Sequence, residues 1–85
     1  MKPDTLRADI EHRIAELRAA YPRIAVCHAT LDEWHEDAGP RHALRLDIRW
    51  PQHQTLVSGP ARPGARTAVE AGFEVAAQRL KDTHA

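Results

Sequence analysis

The feature that most constrains the fold is a strict alternation of apolar and polar residues in the middle of the chain. Every second position from Leu44 to Trp50 is leucine, isoleucine or tryptophan, and the positions between are mainly charged. Successive side chains of a β-strand point to opposite faces of the sheet, so the pattern predicts a strand with one buried and one solvated face. The apolar set is Leu44, Leu46, Ile48 and Trp50, and the other set is Ala43, Arg45, Asp47 and Arg49.

Two amphipathic helices are predicted, one on each side of this segment. From Thr5 to Ala20 the apolar residues recur at steps of three and four, and Pro22 disfavours helical geometry at the residue before it. A second helix is predicted from Arg66 onward, with Gly72 marking a close approach to the sheet. The apolar stripes are Leu6, Ile10, Ile14, Leu17 and Tyr21 in the first helix, and Val69, Phe73, Ala76, Ala77 and Leu80 in the second.

Two further strands complete the predicted sheet. Ile24 to Trp34 is β-tolerant and is followed by a turn-prone stretch at 36–40, and Gln54 to Ser58 precedes a loop rich in glycine and proline. In the first strand, the smaller and less polar set is the predicted core face: Ala25, Cys27, Ala29 and Leu31. The sequence therefore predicts an α+β fold of order α-β-β-β-α, a single domain over residues 1–85. Two helices should lie on one face of a three-stranded antiparallel sheet.

Composition indicates a protein without a strong overall electrostatic pull. Lys plus Arg and Asp plus Glu are equal at 12 each, so any attraction to a phosphate backbone has to come from local patches. The first residues lack the apolar core of a secretory signal, and no apolar run is long enough to span a bilayer. Cys27 is the one cysteine, as expected in a reducing compartment, and a cytoplasmic location is predicted.

No residue pattern indicates an enzyme or a cofactor site. Cys27 and His28 are adjacent, but neighbours on a strand point to opposite faces, so they do not form a thiol and base pair. The histidines of the first hairpin, His28, His35 and His42, lack the spacing usual for zinc ligands and are read as surface residues. Glu33, Glu36 and Asp37 around Trp34 are read as a solvated turn. The predicted protein has no catalytic residue, no metal and no cofactor.

Several stretches together resemble the bacterial ribosome hibernation-promoting factor family, which includes ribosome-associated inhibitor A and the sigma-54 modulation proteins. The first helix runs directly into Tyr21-Pro22-Arg23-Ile24, and residues 27–33 look like the family's second strand. The resemblance continues through 45–48, 54–58 and 68–80, in the family's order, and covers the chain from Thr5 to Asp82. The family domain is β-α-β-β-β-α, so this chain resembles a short form that lacks the first strand.

The resemblance implies a ribosome-associated translation regulator of the bacterial stress response. Such proteins bind the small ribosomal subunit and block mRNA and tRNA sterically during stasis. The implied rRNA-binding positions are basic residues of the two helices, Arg7, Arg13, Arg18, Arg66, Arg79 and Lys81, although charge alone favours solvated faces because acidic residues interleave with them.

Two departures from the family pattern point to an alternative. Without the first strand, the predicted 24–34 strand is an open edge that could pair with a second copy in a homodimer. The neutral total charge also implies weaker and more salt-sensitive rRNA binding than in the family. The alternative prediction is therefore a protein-interaction or dimerisation module of the same fold that has lost ribosome binding.

Overall fold

The computed structural model describes residues 4–84 and has the predicted order of elements. Helix α1 spans Asp4–Ala20, strands β1, β2 and β3 span Val26–Glu36, Gly39–Arg49 and Gln54–Ser58, and helix α2 spans Ala65–His84. The three strands form one antiparallel sheet in the order β1-β2-β3. The predicted α-β-β-β-α fold of class α+β is confirmed, and β1 lies at an edge of the sheet.

The core lies between one face of the sheet and the two helices. Leu44, Leu46 and Ile48 of β2 are buried to 1% exposure or less, and Val57 of β3 joins them. Helix α2 covers them with a continuous apolar stripe, namely Ala68, Val69, Phe73, Ala76 and Leu80. Helix α1 contributes Leu17 to the buried set, and Ile24 follows from the connection to β1. The alternation in β2 therefore predicted its buried face correctly.

The first hairpin differs from its prediction at both ends of β1. The strand was predicted over Ile24 to Trp34 but begins at Val26 and continues to Glu36, so the expected solvated turn at Glu33 to Asp37 is mostly strand. Ala25, predicted to face the core, lies before the strand and is exposed. Cys27, Ala29 and Leu31 face the helices as predicted, and each is half-buried.

The hairpin turn is tight because Gly39 adopts a backbone conformation that other residues rarely take. Its φ is 126°, and Glu36 pairs directly with Gly39. Pro40 lies within β2 opposite His35, where its missing N–H costs no pairing because that side of β2 faces away from β1. A Gly-Pro pair that reads as a loop in the sequence therefore sits at the start of a strand.

Helix α2 packs very closely against the sheet, as Gly72 predicted. A Cβ at Gly72 would lie 2.7 Å from Cβ of Leu44, and one at Gly59 would lie 2.6 Å from Cα of Gly72. Contacts this short leave no room for a methyl group on either residue. The two glycines thus set the distance between α2 and β2.

Candidate nucleic-acid interface

Helices α1 and α2 run in the same direction, toward the end of the molecule where β2 joins β3. Near their starts, Asp9 of α1 accepts a hydrogen bond from Arg66 of α2. Near the other end, Tyr21 follows α1 and packs edge-on against Trp50, with ring centroids 6.5 Å apart. Arg79 of α2 reaches the carbonyl of Leu56 in β3. The predicted rRNA-binding residues therefore fall into two groups, one at each end of the helix pair.

The first group consists of Arg7 and Arg66 near the helix starts and Arg13 in the middle of α1, and it lies among carboxylates. Nε of Arg7 lies 3.6 Å from Oε1 of Glu11, and Arg66 forms an ion pair with Asp9. The guanidinium carbon of Arg13 lies 5.9 Å from the centre of the Phe73 ring. Arg13 and Arg66 also line a cleft between the helices whose walls carry acidic residues: Asp9, Glu16 and Glu70. This surface carries mixed charge and does not form a basic stripe.

The group near the helix ends, Arg18, Arg79 and Lys81, has no carboxylate partner among the contacts of residues 4–84. Arg18 donates to the carbonyl of Ala25 over 3.2 Å, and Arg79 donates to the carbonyl of Leu56 over 2.9 Å. A carbonyl uses one N–H of the guanidinium and leaves its charge and its other donors available. All these side chains are exposed, and cations at helix C-termini are also favoured by the helix dipole.

Two arginines outside the predicted set lie at the same end. Arg23 lies between α1 and β1, and Arg49 is the last residue of β2, whose carbonyl accepts the N–H of Ala25. Asp47 lies 3.3 Å from Arg49 and is the carboxylate that pairs with it. We call this set the basic end: Arg18, Arg23, Arg49, Arg79 and Lys81. Arg23 and Arg49 lie at strand boundaries, so the predicted set, which was limited to the two helices, did not include them.

The turn between β2 and β3 adds an aromatic surface to the basic end. The ring of His53 stacks on the ring of Trp50, with centroids 5.2 Å apart and planes inclined by 10°. Nε1 of Trp50 donates to the hydroxyl of Thr55, which holds the indole in place. Arg23, Trp50 and His53 line a surface hollow of about 200 Å³. The hollow therefore combines an aromatic surface with a cation, Arg23.

The opposite end of the molecule carries four carboxylates, and two of them pair with arginines: Nε of Arg41 lies 3.5 Å from Oε1 of Glu36, and Arg45 pairs with Asp32. The hairpin that joins β1 to β2 carries a group of carboxylates, Asp32, Glu33, Glu36 and Asp37. Arg45 donates to both carboxylate oxygens of Asp32, over 2.5 and 3.1 Å, and this bond lowers the pKa of Asp32 below its ordinary 3.8. The pKa of Asp47 is likewise lowered, first by the hydrogen bond from Gln54 and then by Arg49. We call residues 32–37 the acidic hairpin.

The cysteine and histidines considered for chemistry lie apart from one another. Cys27 is half-buried under α1, and this burial raises the pKa of its thiol. His28 and His35 lie on opposite faces of β1, and Nε2 of His42 is 3.7 Å from Glu33. Within residues 4–84, no cluster of histidine, cysteine and acidic side chains has the arrangement of a metal site.

Comparisons with known proteins give no match, so a functional proposal has to rest on the fold and the basic end. No family model, curated protein or solved structure matches this chain. In the part of the chain that the structure describes, neither helix is both long and apolar enough to cross a membrane.

Proposed function

We propose that this domain binds rRNA of the small ribosomal subunit through its basic end and restrains translation by occupying the space that mRNA and tRNA use. The observation that carries the proposal is the presence of exposed cations at the basic end, with Asp47, Glu74 and Asp82 among the nearby carboxylates. The resemblance to ribosome hibernation factors supplies the expected target.

The chemistry of the basic end suits structured RNA. Arginine presents a planar fork of donors that matches phosphate oxygens. Arg18 and the main chain of Arg49 both bond to Ala25, so Arg18, Arg23 and Arg49 belong to the same corner of the fold, with the Arg49 side chain on the solvated face of the sheet. The stacked rings of His53 and Trp50 add an aromatic surface beside these cations. Phosphate contacts position the domain, and an aromatic surface adds a preference for RNA with unpaired nucleotides.

The proposed action requires no reaction and no cofactor. A domain with a longest dimension of 41 Å is large enough to obstruct a channel that accommodates RNA. Binding through one end leaves the rest of the domain projecting into the occupied space. Restraint then depends on affinity and geometry alone, so it reverses when the protein dissociates.

Co-sedimentation with isolated small subunits across a salt series tests the proposal. The test variant replaces the basic-end residues Arg18, Arg23 and Lys81 by glutamine. The matched control replaces an equal number of cations elsewhere, Arg7, Arg41 and Arg62, by glutamine. We expect wild type and control to bind and to dissociate as salt rises, while the test variant binds weakly. The slope of log affinity against log salt should decrease by about one for each phosphate contact removed.

A cell-free translation reaction provides the functional readout. Wild type and control should lower reporter synthesis, and the basic-end variant should not. The proposal is overturned if the wild type fails to bind at low salt, or if the two variants lose binding equally, because the loss would then reflect net charge alone.

The second candidate function is the protein-interaction or dimerisation module. One observation favours it: β1 is an edge strand, and no other strand of the described residues pairs with its outer side. That edge is a separate surface from the basic end.

A further inference from the structure

Within residues 4–84, the main-chain groups on the outer edge of β1 have no strand partner, and the pairing of β2 shows which groups these are. His42 exchanges two main-chain hydrogen bonds with Arg62, and Leu44 accepts one from Gly59, so the even-numbered residues of β2 point away from β1. Its odd-numbered residues therefore point toward β1, where the register pairs them with even-numbered residues. The N–H and C=O groups of the remaining β1 residues face outward: Cys27, Ala29, Leu31, Glu33 and His35.

Helix α1 lies over this edge, and the apolar side chains that it presents there are only partly buried. Leu6, Ile10 and Ile14 are only partly buried, although they lie on the stripe that faces the sheet. Together with Cys27 and Ala29 they line an open groove of about 400 Å³. Among the described residues, the groove thus has a row of unpaired main-chain donors and acceptors on one side and the aliphatic side chains of α1 above it, with the ion-paired Arg7 and Glu11 at its rim. Those are the two features that a bound β-strand uses.

A second copy of the chain fits this groove poorly. Helix α1 touches β1 and α2 at the margin of the sheet, so edge-to-edge pairing would bring two α1 helices together above the junction. Paired strands are about 4.8 Å apart, whereas packed helix axes need roughly 8–10 Å. Pairing further along β1, around Glu33, would set two acidic hairpins against each other. A single extended segment meets neither obstacle.

We propose that the groove between α1 and the edge of β1 binds an extended segment of another protein, which adds a fourth strand to the sheet. Its main chain pairs with Cys27, Ala29 and Leu31, and alternate aliphatic side chains pack beneath Ile10 and Ile14. A lysine or arginine at the end beside Glu33 complements the acidic hairpin. This proposal is independent of rRNA binding, because the groove and the basic end share no residue.

The probe is a synthetic acetylated peptide of about eight residues, an ordinary strand length, that alternates valine and threonine and carries lysines at one end. One control peptide has the same sequence with alternate main-chain nitrogens methylated, and a second has glutamates in place of the lysines. Binding is measured by calorimetry, and the site is located by amide hydrogen exchange. The amides of Ala29 and Leu31 should exchange more slowly with peptide bound, whereas those of β3 should not change.

Ala29→Pro removes an outward N–H and breaks no bond to β2, so it should weaken peptide binding about tenfold or more while the fold persists. Thr30→Pro is the matched contrast, since its N–H faces β2 and its loss should weaken the fold itself. If Ala29→Pro does not fold, the methylated peptide tests the same bond on the wild-type protein.

Alkylation of Cys27 gives an independent readout. The thiol lies in the groove, so bound peptide should slow its reaction with a maleimide. The proposal is overturned if the peptide does not bind, if the methylated control binds equally well, or if light scattering shows a dimer whose formation protects the same amides without peptide. The last result would identify a second copy as the occupant. Ribosome co-sedimentation of Ala29→Pro should equal that of wild type, which separates this proposal from the rRNA proposal.

Discussion

The two halves of the sheet are covered in different ways, although a helix lies over each of them. Under α2, residues of β2 and β3 are sealed by close contacts that two glycines permit. Under α1, Cys27, Ala29 and Leu31 remain half-buried, and so does most of the helix stripe that faces them. Amphipathic sequence alone thus does not determine how much area a helix buries. The buried area also depends on how far the sheet extends beneath the helix, and beneath α1 the sheet ends at the edge strand β1.

The largest expected effect distinguishes the two halves by the loss of a buried side chain. Leu46→Ala removes a residue that is 1% exposed and should lower the free energy of unfolding by about 2–5 kcal/mol. Ile10→Ala, in the half-covered stripe, should cost roughly half of that or less, since solvent already reaches the site. Urea denaturation followed by circular dichroism measures both. Equal losses would show that α1 buries its stripe as fully as α2 does.

A smaller effect tests the close approach of α2. In an ordinary helix, replacing glycine by alanine stabilises by about 1 kcal/mol. Gly72→Ala should instead destabilise by about 1–3 kcal/mol, because the new methyl group would meet Leu44 at 2.7 Å. Ala77→Gly, at an exposed position of the same helix, is the control and should show the ordinary propensity cost. A stabilising Gly72→Ala would mean that α2 can move away from the sheet freely.

The smallest effect concerns the ion pair between Asp32 of β1 and Arg45 of β2, on the sheet face that the helices do not cover. The pKa of Asp32 lies below the unfolded value of 3.8 because Arg45 bonds to its carboxylate. Its contribution to stability is therefore complete above pH 3.8 and disappears as the pH falls through the folded-state pKa. We expect Asp32→Asn to flatten the decline of the thermal midpoint below pH 3.8, and Asp37→Asn at the hairpin tip to leave it unchanged. Parallel declines in wild type and Asp32→Asn would show that this ion pair does not contribute to the pH dependence of stability.

Local pattern was sufficient for the order of elements and for the buried face of β2. The alternation from Leu44 to Trp50 identifies the buried face of the strand, and the spacing of three and four residues identifies the buried face of each helix. The end of β1 was missed because Glu36 to Pro40 has the composition of a loop. Whether such a stretch forms a loop or a tight hairpin depends on the pairing of residues on either side, which composition does not encode.

The candidate site was predictable only in part. Helical placement found Arg18, Arg79 and Lys81, but it grouped them with Arg7 and Arg66, which pair with Glu11 and Asp9 in the fold, and with Arg13, which lies over the Phe73 ring. Arg23 and Arg49 are far apart in sequence and meet at one corner because β1 begins where β2 ends. Such a juxtaposition is a property of strand register. It becomes visible only once the chain is folded.

The placement of charge at opposite ends of the molecule changes what neutrality means for this protein. A net charge of zero removes the uniform attraction toward a polyanion, but the acidic hairpin and the basic end give the molecule a dipole moment. A dipole in the non-uniform field around RNA experiences a torque as well as a pull. The field would therefore rotate an approaching molecule so that its arginines arrive first and its carboxylates trail. A neutral molecule with such a dipole is attracted over a shorter distance than a cationic one, but it arrives in a preferred orientation.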